Sequence, residues 1–299
     1  MSKNNYNKMR TAKTRIKSPR PKYFKLSLIL FLLIVVVTGV LVIYNSQASS
    51  RMARKGSNFP VSKLSVLTWN LRYGGQRVGY DLKKYADVIK FTDADIVFVQ
   101  ETYNNQIDDL AKLTGMNYRF VTTVKASKSV SEDSNYTTKY GKNPQYGHAI
   151  LSKYPLGAET VIDLSSSDEK RKMLYVNTWI NGVGVRLANT HLTAELNQDG
   201  RNSRARSSEI IADKIAKDNV FTIFGGDLNA NIGELAAIKN NFYVVANNGN
   251  STPSESPTKR FDYIGVRNGP SNLAGISDNV LVNTYSDHRP VLYSLLFKK

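Results

Sequence analysis

The chain has 299 residues, 41 Lys and Arg against 24 Asp and Glu, and no cysteine, so any part of it outside the cytosol is stable without disulfides. The basic excess is local: residues 1–60 carry 12 Lys and Arg and no acid, and taking those 12 from 41 leaves 29 basic against 24 acidic residues beyond them. That near balance removes net charge as an argument for nucleic-acid binding by the remainder, which at roughly 240 residues is long enough to bury a core of its own.

Residues 1–25 form a basic tail holding nine Lys and Arg, from Lys3 to Lys25. Leu26 to Tyr44, LSLILFLLIVVVTGVLVIY, then runs 19 residues without a charge, long enough to span a bilayer as a helix. Only three basic residues follow soon after it (Arg51, Arg54 and Lys55), so the positive-inside bias places the N-terminus in the cytosol and the rest outside. Small residues at Ser46-Gln47-Ala48 would allow cleavage and secretion, but the long apolar run and long basic tail favour an uncleaved single-pass anchor. Residues 45–60 read as a polar linker, and residues 61–299 as one domain.

Within 61–299, Val-, Ile-, Tyr-, Phe- and Thr-rich runs read as strands at 64–71, 95–101, 118–124, 148–152, 173–180, 183–192, 219–226, 260–266 and 290–297. Leu82–Phe91, Gln106–Leu113, Arg204–Ala216 and Gly233–Lys239 carry helical spacing. Two polar stretches, Lys125–Gln145 and Ala246–Lys259, read as surface loops. The expectation is an α/β domain with sheets flanked by helices.

Polar residues recur at the ends of these runs. Asn70 follows VLTW, Glu101 follows VFVQ, and Asn189 and His191 lie near the end of VRLANTHL. TIFGG leads into Asp227 and Asn229, Asp262 lies inside RFDYIGV, and Asp287-His288 precede the last strand. Asp227 and Asn229 alternate onto one side of an extended chain, although Gly-Gly-Asp-Leu-Asn also makes a good turn. So many polar groups buried singly would be costly, and a shared cleft at the strand ends relieves that cost. Acids, amides and an imidazole in such a cleft suit metal-assisted phosphoester chemistry: hard oxygens hold a Mg²⁺-like ion and His moves protons near neutral pH.

The ordered set TWNLR, VQET, NTHL, GGDLN, FDYIGV and SDHRPV resembles the endonuclease/exonuclease/phosphatase superfamily, from about Leu64 to Leu296. The resemblance implies a four-layer α/β sandwich, two packed mixed sheets flanked by helices, and metal-dependent phosphoester hydrolysis. It assigns Asn70, Glu101 and Asp287 to the metal site, with Mg²⁺ as the ion and Mn²⁺ or Ca²⁺ as alternatives. It makes Asp227 and Asn229 the pair that orients the attacking water and holds phosphate. His288 becomes the catalytic imidazole, Asp262 the acid that orients it, and His191 a second histidine available to protonate the leaving oxygen. His148, in YGHAILS, reads as a core or rim histidine, and Arg204 and Arg206 as a solvated helix face.

His191 in NTHL pulls the chain toward DNase I-like nucleases and sphingomyelinases, whereas GDLNAN and KRFDYIG depart from the inositol-phosphatase branch. The leading expectation is a membrane-anchored nuclease, an endonuclease acting outside the cytosol on nucleic acid, with no obligate protein partner. A sphingomyelinase or phospholipase C-like phosphodiesterase is the second reading. An inactive anchored binding module is the third.

Overall fold

Apolar residues alternate along the central strands, and both faces of those strands are buried. In β1, Lys63–Asn70, Leu64 and Val66 enter one hydrophobic cluster while Leu67 and Trp69 enter another. Strands buried on both sides belong in the middle of a layered structure. The computed structural model describes residues 57–125 and 132–299. The basic tail, the apolar run Leu26–Tyr44 and most of the linker lie outside the described residues, among which no helix is long and apolar enough to cross a membrane.

The first sheet holds β1, β2 (Ile96–Tyr103), β3 (Asn117–Lys125), β4 (Gln145–Ser152), β11 (Leu273–Val280) and β12 (Val291–Phe297), in the order β11-β12-β1-β2-β4-β3. The second holds β5 (Leu156–Leu164), β6 (Arg171–Ile180), β7 (Val183–His191), β8 (Thr222–Asp227), β9 (Tyr243–Val244) and β10 (Asp262–Arg267), in the order β5-β6-β7-β8-β10-β9. Each sheet is mixed: β1 runs parallel to β2, and β7 parallel to β8.

One apolar cluster lies between the sheets, with Val66, Phe98, Ile150, Leu187, Ile223 and Tyr293 among its members. A second packs the first sheet against α1, Leu82–Phe91, and α2, Asn104–Thr114, through residues such as Trp69, Tyr85 and Leu110. A third packs the other sheet against α4, Gln198–Ala216, and α5, Ala236–Asn241, through Phe224, Ile211 and Phe242. The expected sandwich of helices, sheet, sheet and helices is what forms.

The differences lie at the margins. Strands β5 and β11 carry mostly exposed or half-buried residues at sheet edges, so they lack the apolar run that marks an interior strand. The stretch Lys125–Gln145, expected to be all loop, contains α3, Ser134–Tyr140, started by the Asp133 carboxylate accepting from the Asn135 amide. Helix α4 begins six residues earlier than its apolar spacing indicated, where the Asn197 side chain caps the Gly200 amide. The expected helix Gly233–Lys239 splits into a short 3-10 turn, Ile232–Glu234, and α5.

The second polar stretch, Ala246–Lys259, is a mostly exposed loop, as expected, but it is tied to the domain at several points. Buried Arg260 donates to the Gly249 carbonyl, and Arg289 to the Ser254 carbonyl. Ser251 and Ser254 are fully buried.

Candidate active site

Strand register brings the motifs together. At one end of the second sheet, His191, Asp227 and Asp262 lie side by side: β7 pairs His191 with Asp227, and β10 pairs Asp262 with Asp227. At the adjoining end of the first sheet, Asn70 pairs with Gln100, immediately before Glu101. The two sheet ends touch through Asn70, whose Nδ2 donates to Glu101 Oε1 and to Asp227 Oδ2, each at 2.9 Å. Asn70 Oδ1 accepts from the Arg72 amide. Its side chain therefore bridges two carboxylates, rather than presenting a free oxygen as the metal ligand expected from sequence.

A second amide sews the sheets together behind the site. Asn189, fully buried on β7, accepts from Gln100 Nε2 at 2.9 Å and donates to the carbonyls of Val99 and Ala149 across the interface. Gly226 permits that contact, because its φ is +132° and a Cβ there would lie 2.0 Å from the Thr190 carbonyl.

Asp227 is the centre of the arrangement. It is 1% exposed; Oδ1 accepts from the Asn229 amide at 2.9 Å, while Oδ2 faces His191 Nε2 at 3.6 Å and His288 Nε2 at 3.7 Å. Asn229 does not reach it by strand alternation. The strand ends at Asp227, and Asn229 folds back in the left-handed region at φ +49°, so GGDLN makes a turn and still brings Asn229 to Asp227. Asn229 Nδ2 donates to the Leu192 carbonyl, tying this turn to the end of β7.

His288 Nδ1 lies 2.8 Å from Asp262 Oδ2, the same oxygen that accepts from Ser251 Oγ at 2.6 Å. Trp69 Nε1 donates to the His288 carbonyl and so fixes the loop that presents the ring. Burial alone would depress the His288 pKa, but the Asp262 and Asp227 carboxylates and the Asp262 hydrogen bond push it up to about 10. Burial first, opposed by His288 and reinforced by Asp262, pushes Asp227 up to about 7. His191 goes the other way: burial, Arg171 and the other histidines hold it well below the usual range, so it stays neutral. In that neutral state the ring donates a hydrogen bond, whereas the acid role expected of His191 requires its protonated form.

Glu101 sits at a bulge in β2, where the register against β4 shifts between Val99 and Thr102, and its φ is +56°. A non-glycine residue held there is strained, and strain of this kind gathers at functional sites. Besides Asn70, its carboxylate accepts from the Tyr73 amide through Oε2. Asp287 points elsewhere. Its Oδ2 is 3.0 Å from Arg72 Nη1 in a partly exposed ion pair, and it does not converge with Asp227 and Asp262. Among the described residues, Asp227, Asp262 and His288 form a group whose ligand atoms lie within 4.8 Å of one another, close enough to hold a metal ion. His288, held protonated, is no ligand, whereas the Glu101 carboxylate at the same edge, held by Asn70 and the Tyr73 amide, offers the hard oxygen that a Mg²⁺-like cation needs.

His148 is 1% exposed, neither ring nitrogen reaches hydrogen-bond geometry, and burial with Arg171 pushes it down to about 3. It is a neutral core histidine. Arg204 is buried and donates to the carbonyls of Thr193 and Glu195, holding the loop after His191 rather than forming a solvated face. Arg206 reaches Ser165 Oγ at 3.2 Å. Sequence reading missed Ser251 and Gln100, because each acts through a partner distant in the chain, while Asn189, expected among the cleft residues, lies behind the site and joins the sheets.

A sequence model of the Endonuclease/Exonuclease/phosphatase family matches residues 67–288. A 5'-tyrosyl-DNA phosphodiesterase from Caenorhabditis briggsae is 27% identical over 185 residues, covering 59% of this chain and 47% of the relative. The chain spans about half the length of the curated relatives it matches. Truncated Caenorhabditis elegans TDP2 superposes with a TM-score of 0.60 at 21% identity, covering 78% of this chain and 97% of that one. A mannosyl-6-phosphatase from Bacteroides thetaiotaomicron gives 0.58 at 19%, covering 78% and 100%. At these identities the structural likeness shows the fold.

Proposed function

As the chain belongs to the endonuclease/exonuclease/phosphatase family, we propose that it is a Mg²⁺-dependent phosphodiester hydrolase acting on nucleic acid. The observation that carries this reading is Asp227 Oδ2 facing two imidazole nitrogens, with Asp262 behind one of them. Asp227 takes the proton of an attacking water, and its raised pKa matches that task near neutral pH. His288, kept protonated by Asp262, donates through Nε2 to the phosphate or leaving oxygen. His191 and Asn229 add neutral hydrogen bonds to the phosphate, and Asn70 holds Asp227 and Glu101 in register. Glu101, braced by Asn70 and the Tyr73 amide, would hold the cation in this reading. When bound, such a cation neutralises charge developing on the phosphoryl oxygens.

Nucleic acid as substrate is supported by relatives whose name carries tyrosyl-DNA. In the same reading Leu26–Tyr44 anchors the chain, with residues 61–299 outside the cytosol. That apolar run also favours the second reading, a phospholipid or sphingomyelin phosphodiester presented at the membrane surface. The test is the full-length chain in detergent, assayed in parallel on plasmid DNA, single-stranded oligonucleotides, RNA and sphingomyelin micelles with Mg²⁺. Cleavage of a nucleic acid supports the proposal; release of phosphocholine without nucleic-acid cleavage replaces it with the lipid reading.

A further inference from the structure

Beside Glu101 and His191 lies a cleft of about 450 Å³ that the hydrolytic groups do not fill. Its walls include Tyr73, Tyr103, Tyr146, Glu169 and Arg171. Tyr73 is 45% exposed, the most exposed aromatic beside the site, whereas Tyr103 and Tyr146 are buried. The Tyr73 and Tyr146 rings lie 6.1 Å apart at 33°, and Tyr146 in turn packs 5.6 Å from Tyr103. The exposed ring is thus braced by two buried ones.

Its backbone is fixed as firmly. Arg72 and Tyr73 have φ of +51° and +49°, and Gly74 and Gly75 follow at +66° and +88°. A Cβ at Gly74 would lie 2.0 Å from Gln106 Oε1, and Gln106 Nε2 donates to the Gly74 carbonyl at 2.9 Å. The Tyr73 amide is held by Glu101 at 3.1 Å. An aromatic ring set this rigidly at the mouth of a phosphoester site loses little entropy on binding a flat partner.

The cleft also supplies an acceptor. Glu169 has a side chain 33% exposed, with Oε1 3.2 Å from Arg171, whose guanidinium is shared with Asp168 at 2.8 Å. Burial, opposed by Arg171 and reinforced by Asp168 and Glu101, raises the Glu169 pKa, as expected of a carboxylate short of donors. Three acids against one arginine make this wall unsuited to a continuing phosphate chain.

Resting on the nucleic-acid reading above, we propose that this cleft is a nucleobase subsite, in which Tyr73 stacks on the base next to the scissile phosphate and Glu169 accepts from its exocyclic amino group. Stacking on one aromatic side chain changes affinity roughly tenfold to a hundredfold, and carboxylates pair with amino groups such as that of cytosine but not with the carbonyls of thymine.

The test uses full-length protein and short oligonucleotides with one phosphodiester among uncharged, uncleavable linkages, flanked on both sides by cytosine, thymine or abasic residues. Wild type should prefer base-bearing to abasic substrates roughly tenfold or more in kcat/KM. That preference should collapse toward unity in Y73A and return in Y73F. The preference for cytosine over thymine should vanish in E169Q. A Y73A protein that slows on base-bearing and abasic substrates alike would overturn the proposal and leave the ring as a brace for Glu101. Wild-type cleavage of all three at one rate overturns the subsite alone, whereas no cleavage of any of them overturns the nucleic-acid reading and the subsite with it.

Discussion

Asp262 is fully buried with one carboxylate oxygen accepting from both Ser251 and His288, and that placement decides which imidazole keeps its proton. Asp227 lies about equally near both rings, but His288 has Asp262 as well, while burial, Arg171 and the other histidines hold His191 down, so equal residue types acquire opposite charge states. Activity should therefore rise with pH through about 7 as Asp227 loses its proton, and fall as His288 loses its own near 10. The apparent values belong to the coupled pair. In D262N, a carboxylate that raises the His288 pKa is gone, so the alkaline limb of a kcat/KM profile should move to lower pH. An unmoved limb would dissociate Asp262 from His288. Glutamine at His288 should lower kcat by about 10²- to 10⁴-fold, the usual worth of a positioned acid or base. H191Q, which keeps a hydrogen-bonding group, should lose only about tenfold; equal losses in the two variants would restore His191 as a proton donor. Every residue named from the motifs could be picked out as polar chemistry at a strand end. What could not be read was orientation: Asp287 turns to Arg72, and Asn70 spends its amide on two carboxylates.

At the level of elements, interior strands announced themselves and edge strands did not. VLTWN, IVFVQ and TIFGG are buried on both faces and cannot be anything but apolar. LGAETVIDL and LAGISDNV face largely outward, and β propensity without burial leaves no pattern to read. The Asn181-Gly182 pair joins β6 to β7 as a hairpin, with both residues at positive φ. Gly226 looks no different in sequence, yet its role depends on β7 lying against it. Alanine tests the contrast. G182A has open space around its Cβ and should cost about 1 kcal/mol, the backbone penalty alone. G226A must push back the Thr190 carbonyl and the Asn189 side chain, and should cost about 3 kcal/mol in urea unfolding while also lowering kcat through His191. Equal destabilisation by the two would mean that β7 yields freely and does not hold His191 in place.

Across the whole molecule, the site exists because two sheets end at the same edge and are stitched there by Asn70 and Asn189. The basic tail and apolar run lie outside the described residues; their part in the reading is location, and the charge they carry is no measure of the cleft's. The polar stretch Ala246–Lys259 shows the converse, since a segment that reads as surface supplies Ser251 to the Asp262–His288 pair. The central claim is that this edge hydrolyses phosphodiesters with a bound cation and the Asp227, His288 and Asp262 groups. Its most direct measurement is the initial rate of the full-length chain on bis(p-nitrophenyl) phosphate with Mg²⁺, with EDTA, and in the D227N and H288Q proteins. The account predicts turnover with Mg²⁺ that EDTA abolishes and Mg²⁺ restores, and a loss of at least about 10²-fold in each variant. Turnover that survives EDTA, or variants as active as wild type, would contradict it.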